Sequence, residues 1–253
     1  CESGLSVTEP GAPTALPGSL PRPAAAVKPP VQTETLTPKA LGIVQKGLRH
    51  DNAYLRTHAA EIVAETACRQ MMPDILELLD DSSTAVRFAA AAAIGDMRCF
   101  GYEKHLEALL EDANPNVRIA AAYALTKLNR PQGHHEMIRE ATNSPDQTVR
   151  ANAALLLGKL GNRDDLNLLY NVLYAHDSLD KVRLQAVESI ARLGDNRMYR
   201  SKLWALLISK YADDRVMGIR GMGALGTAEA RNAILTMLQD DVLEVRLAAA
   251  EQL

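Results

Sequence analysis

Apolar positions recur with a helical period along residues 37–253, and the same pattern is written seven times. Each copy opens at an arginine: Arg56, Arg87, Arg118, Arg150, Arg183, Arg215 and Arg246, spaced by 31, 31, 32, 33, 32 and 31 residues. Counted from that arginine, the preceding residue is Leu or Val in six copies and Asp214 in the sixth. Position +3 is always small: Ala59, Ala90, Ala121, Ala153, Ala186, Gly218 and Ala249. Position +7 is always large and apolar: Val63, Ile94, Leu125, Leu157, Ile190, Met222 and Leu253. Position +10 is Met97, Leu128, Leu160, Leu193 or Leu225 in copies two to six. Together −1, +3, +7 and +10 make one face of an α-helix. A second apolar segment, such as PDILELL or LNLLYNVL, precedes each copy, so every repeat is predicted to be two antiparallel helices joined by a short polar turn. A fixed period of this length marks supersecondary units that bury their faces only against one another.

The punctuation agrees with this division. Asn114-Pro115 and Ser144-Pro145 place a side-chain acceptor before a proline, a favoured helix start. Gly161, Gly194 and Gly226, at position +11, stand where a helix ends on a left-handed residue. The run Ala89 to Ala93 lets the second helix of repeat two approach its neighbours closely on more than one side. An arginine in a helix's first turn faces an unfavourable dipole and needs a counter-charge. Asp81, Asp112, Asp177 and Asp240 each sit six residues before an arginine, and Asp51 five before. An Asp–Arg ladder from turn to turn is expected, with an anion-binding row of arginines as the alternative.

The phrase D-x(4–5)-V-R-x-x-A-A-x-A-L-G-x-L-G, assembled from these copies, resembles the HEAT repeat in its short form of phycobilisome-lyase-type proteins. The resemblance covers residues 37–253 and implies an all-α, right-handed α-solenoid of about seven stacked two-helix repeats. It is specific for fold and poor for function, since scaffolds, adaptors, chromophore lyases and a few metal enzymes share it.

Composition narrows the function classes. The chain is 47% hydrophobic but only 4% aromatic, which suits helices packed through small side chains. A net charge of −3 and no basic stripe disfavour nucleic acid as a partner. Residues 1–36 hold seven of twelve prolines with no apolar periodicity, and are expected to form a disordered Pro/Ala-rich tether reaching roughly 35 Å as a coil. The chain starts at Cys1, followed by Glu2, Ser3 and Gly4, which resembles a mature bacterial lipoprotein. That resemblance implies a lipidated Cys1, a membrane anchor and a place in the cell envelope; a fragment boundary and a cytoplasmic protein are the alternative. The sequence stops at Leu253, a core position of the seventh repeat, so further repeats or a subunit are expected at that edge.

No catalytic centre emerges. Deoxyhypusine hydroxylase, which resembles this fold, needs several His-Glu pairs for iron, whereas this chain has one, His135-Glu136, beside His134. No metal, cofactor or catalytic residue is therefore expected. Cys68 and Cys99 occupy position +12 one repeat apart, and are expected as unpaired thiols rather than a disulfide.

A binding face is easier to place. In HEAT-type stacks the second helices line the concave surface, and positions +2, +5 and +9 are expected to face outward there. At +9 stand Glu65, Asp96, Lys127, Lys159 and Arg192, an acidic-to-basic gradient. At +5 stand Glu61, Tyr123, Leu155 and Arg220 among others, and at +2 His58. A groove for a protein or peptide partner is expected, centred on Tyr123 and Leu155 and oriented by the charges. The expected function is a non-catalytic scaffold or adaptor, with a soluble HEAT-like subunit or chromophore-lyase-like factor as the alternative.

Overall fold

A computed structural model describes residues 38–129, 133–197 and 202–253. Within them seven hairpins follow one another: α1 (Pro38–Leu48) with α2 (Ala53–Glu65), α3 (Met72–Glu77) with α4 (Thr84–Asp96), and α5 (Glu103–Leu109) with α6 (Pro115–Lys127). The fourth and fifth are α7 (His134–Ala141) with α8 (Gln147–Leu160) and α9 (Leu166–Tyr174) with α10 (Asp180–Arg192). The last two are α11 (Trp204–Leu207) with α12 (Ala212–Leu225) and α13 (Ala228–Thr236) with α14 (Leu243–Gln252). Each second helix packs on the next, α2 on α4 and so on to α12 on α14. The molecule is an α-solenoid, with no strand among the described residues. The expected tether and Cys1 lie outside those residues.

The face read from the sequence is the buried one. Val86, Ala90, Ile94 and Met97 of α4 are buried, as are Val117, Ala121, Leu125 and Leu128 of α6. Small residues at +3 and +8 matter because the helices nearly touch: a Cβ on Gly218, at +3, would meet Leu206 Cβ at 2.9 Å, and the glycines at +8 are as close. A Cβ on Gly95 of α4 would meet Ala124 Cα of α6 at 2.8 Å, and one on Gly158 of α8 would meet Ser189 Cβ of α10 at 2.7 Å. The core runs as two clusters, and Phe88 and Leu110 pack against both.

Helix starts follow the predicted chemistry in part. Asn52, Asn114 and Asp146 accept first-turn N–H groups at the starts of α2, α6 and α8, and Pro115 opens α6. The ends are more uniform than the sequence indicates. Gly161, Gly194 and Gly226 have φ of +81°, +76° and +63°, but Ala67, Arg98 and Asn129, also at +11, have +50°, +48° and +60°. The turn geometry is thus set by the stacking, and three repeats hold it without glycine.

The arginine ladder is formed. In its own turn, the Nη1 of Arg56, Arg87, Arg118, Arg215 and Arg246 donates to the carbonyl six residues back, at 2.7 to 3.0 Å. The Asp in the next repeat's turn then takes the outer face of the guanidinium. Arg56 forks onto Asp81 at 2.7 and 2.8 Å, and Arg87 onto Asp112 at 2.8 and 3.0 Å. Arg150 forks onto Asp177 at 3.0 and 2.9 Å, and Arg215 onto Asp240 at 2.8 Å. Each of these four arginines therefore bonds two repeats' turns at once, and its dipole penalty is offset. The ladder has two gaps, at Arg118 and Arg183, because Ser144 and Ser209 stand where the acid would be.

Cys68 and Cys99 are both buried free thiols, as expected. Burial pushes the Cys99 thiol up, against a smaller opposing pull from Arg69.

Candidate functional site

The second helices of all but the third repeat contribute to one hollow of about 570 Å³. Position +5 or +9 of these helices supplies most of its wall, since +3 and +7 are committed to the core. Seven residues expected at the binding face line it: Glu61, Glu65, Asp96, Leu155, Lys159, Arg192 and Arg220. The volume falls in the range of small-ligand and peptide-side-chain sites.

One end of the hollow is acidic. Glu61 and Glu65 of α2 and Glu251 of α14 share that part of the wall. Loss of water raises the Glu65 carboxyl above its ordinary value, and the nearby Glu251 and Glu61 add to the rise. The first and seventh repeats thus face each other closely enough to interact.

The centre is a paired cluster. Lys159 donates to Asp96 Oδ2 at 2.6 Å, and the Tyr123 hydroxyl donates to Asp96 Oδ1. The Lys127 and Lys159 ammonium groups lie 5.9 and 6.0 Å from the Tyr123 ring centroid. Burial lowers the Lys127 ammonium against the pull of Asp96, and its Nζ donates to the Lys159 carbonyl at 3.3 Å. Farther round, Arg192 donates to Glu188 at 2.6 Å and Gln185 to the same carboxylate at 3.2 Å. Arg220 is exposed and has no ion pair among the described residues.

Three expected residues fall elsewhere. Tyr123 was expected to face outward as a groove centre; it is fully buried. The cause is the close approach of α4, since a Cβ on Gly95 would lie 3.1 Å from Tyr123 Cε1. Burial of the phenol, reinforced by Asp96, drives its ionisation far above the ordinary range. Lys127 sits beneath the wall beside that ring and does not line the hollow. His58 also lies outside it, exposed, stacked on Tyr54 at 6.3 Å and 3.4 Å from Glu61. The expected charge gradient is likewise partly consumed by the Asp96–Lys159 and Glu188–Arg192 pairs.

Glu188, Glu251, Gln185 and Phe88 line the hollow without having been singled out. The signal for Glu188 and Glu251 was position +5, and for Gln185 position +2; Phe88, at +1, had none. His135 is engaged away from the hollow, its Nε2 2.8 Å from the buried Asp165, which also accepts from Arg139 at 3.0 Å. Among the described residues no group of three potential ligands is placed to hold a metal ion. No described helix is long and apolar enough to cross a membrane.

A stack of two-helix units with a concave wall of second helices defines an α-solenoid repeat protein. The chain belongs to the HEAT-repeat family, whose model matches residues 43–110, 102–191 and 136–215. No curated relative matches. Among solved structures it is similar to one of the complex of CpcE and CpcF of phycocyanin lyase from Nostoc sp. PCC7120. That similarity has 19% identity, covers 93% of this chain and 91% of that chain, and gives a TM-score of 0.53. Human deoxyhypusine hydroxylase in complex with glycerol matches at 17% identity, over 87% of this chain and 85% of that chain, with a TM-score of 0.45. At 19% identity the likeness to the lyase complex is one of fold.

Proposed function

We propose that this chain is a non-catalytic scaffold that holds a protein partner in its concave hollow. The observation that carries the reading is the hollow itself. It gathers side chains from six repeats, with an apolar wall at Leu155 and Phe88, an acidic end at Glu61 and Glu65, and an exposed cation at Arg220. Such a site offers a partner segment one apolar contact and two charged contacts of opposite sign, which fixes its direction as well as its place. The pairs at the centre, Asp96–Lys159 and Glu188–Arg192, are already satisfied and stiffen the wall.

The reading includes a lipid anchor at Cys1 and a place in the bacterial cell envelope. These rest on the cysteine and the proline-rich composition that follows it. Labelling of Cys1 with a palmitate analogue in cells tests the anchor; an unlabelled chain removes it.

The hollow is tested by placing a photo-cross-linking amino acid at position 155 and identifying the captured peptides by mass spectrometry. The expected result is one dominant partner, lost when Arg220→Glu is added. Capture of that partner from outer-face positions but not from 155 would overturn the reading.

A further inference from the structure

Three departures from the repeat meet where the fifth repeat joins the sixth, the second of them shared with the seventh. The first is the gap in the ladder. Ser209 stands six residues before Arg215, where other turns carry Asp81, Asp112, Asp177 or Asp240. Arg183 therefore reaches only its own turn, donating from Nη2 to the Ala175 carbonyl at 3.2 Å, with Nη1 3.9 Å from Asp180. Its Nε is buried without an acceptor. Arg118, at the other gap, leaves no such atom among the described residues.

The second departure is at the helix starts. The second helices of the first four repeats start on Asn52, Ser83, Asn114 and Asp146. Those of the fifth, sixth and seventh start on Leu179, Tyr211 and Val242, which give no side-chain cap, and Ser83 makes no cap bond either. An apolar residue there forgoes the stabilisation a hydroxyl or carboxamide supplies, so fold stability does not account for it.

The third departure is exposure. Leu179, Ile208 and Tyr211 are 56%, 73% and 60% exposed, and Tyr174, just before the same turn, 63%. Since α10 and α12 pack side by side, their first residues lie about 10 Å apart. Single exposed apolar side chains are ordinary, but Leu179, Ile208 and Tyr211 in two adjoining turns beside an underused guanidinium are not. Lys210 adds a second cation, its Nζ 4.8 Å from the Tyr211 ring centroid. None of these residues lines the hollow.

The geometry points to this edge as a second docking site, for a partner-protein segment that carries a carboxylate between large apolar side chains. The carboxylate takes the face of Arg183 that an aspartate takes at four other junctions, so the partner completes the ladder from outside. Its apolar neighbours cover Leu179, Ile208 and Tyr211. Charge complementarity favours one acid over an anionic lipid surface. Asp180 and Asp213 also face outward here and would oppose a sheet of phosphates but leave room for a single side chain.

A displayed library of random twelve-residue peptides, selected on the full chain, tests the inference. Enriched peptides are expected to share an Asp or Glu flanked by Leu, Ile, Phe or Tyr. They are expected to lose about tenfold or more in affinity on Arg183→Gln, and on exchange of their own acid for its amide. The paired change Leu179→Asn with Tyr211→Asn should remove binding while raising Tm, because each asparagine supplies the cap that Asn52 and Asn114 make. A merely unfolded variant would lower Tm, so the two readouts separate damage from loss of the site. Selection of no peptide, of acid-free peptides, or of peptides indifferent to these variants would overturn the inference. So would co-sedimentation with phosphatidylglycerol vesicles that depends on Leu179 and Tyr211, which would assign the edge to a membrane. Cross-linking from position 155 is unaffected by either variant if the hollow is a separate site.

Discussion

Lys159 and Asp96 lie sixty-three positions apart in the chain and 2.6 Å apart in space, joining the fourth repeat to the second across the third. Such a contact requires tight curvature, because second helices two repeats apart ordinarily stand about 20 Å apart, twice the spacing of neighbours. Beneath the pair lies Tyr123, whose hydroxyl takes the other oxygen of Asp96. The residues expected to greet a partner instead hold the concave wall in shape.

The pair should be worth measurable stability. Both side chains are mostly shielded from water, so screening discounts the interaction only in part. A double-mutant cycle of Asp96→Asn and Lys159→Met is expected to give a coupling of about 1–2 kcal/mol in urea unfolding. A coupling near zero would mean that the contact follows from the curvature and does not help to hold it.

The left-handed turns at Ala67 and Arg98 carry strain that glycine would relieve. An L-residue in that conformation costs roughly 1–2 kcal/mol, against which glycine loses some unfolded-state entropy. Ala67→Gly and Arg98→Gly are each expected to raise stability by about 0.5–1 kcal/mol, read as the urea midpoint. Arg98 is an exposed cation whose side chain makes no hydrogen bond or ion pair among the described residues, so its substitution is the cleaner test.

The gap at Arg118 can be closed from within. Ser144 Oγ already accepts the Asp146 N–H, as Asp81 accepts that of Ser83 and Asp112 that of Asn114. Ser144→Asp keeps that turn bond and adds the missing carboxylate. A gain of about 1 kcal/mol is expected, a Tm rise of roughly 2–4 °C for a chain of this size. No rise would show that the register of the ladder does not extend to this junction.

Acid should dismantle the ladder. Hydrogen bonds from Arg87 hold Asp112 below the ordinary carboxylate range against the opposing effect of burial. Outside the ladder, those from Arg197, with help from the Tyr170 hydroxyl, bring Asp195 down to about 2. A carboxylate with a depressed native value stabilises fully above its unfolded value of about 3.9, and loses that contribution as pH falls through the native one. Tm is therefore expected to be level near neutrality and to fall between about pH 4 and pH 2. Asp112→Asn should lower Tm at pH 7 and flatten the acid limb of the curve.

The sequence determined the repeat, its period and the buried face, because each is a local pattern copied seven times, and it indicated the ladder through acids that recur at four turns. A helix face has one period, so spacing alone was enough. It also placed Glu61, Glu65, Asp96, Leu155, Lys159, Arg192 and Arg220 on the concave side, since +5 and +9 are what the core face leaves over. What it could not determine is how tightly the stack curls. Curvature is the sum of many small displacements between neighbours, set by how closely Gly95, Gly158 and the alanines let helices approach. Only the tertiary structure decided that Tyr123 would be covered, that Lys159 would reach Asp96, and that the left-handed turn would form at Ala67 and Arg98 as well as at the glycines. Those outcomes depend on distances between repeats, and no single repeat contains them.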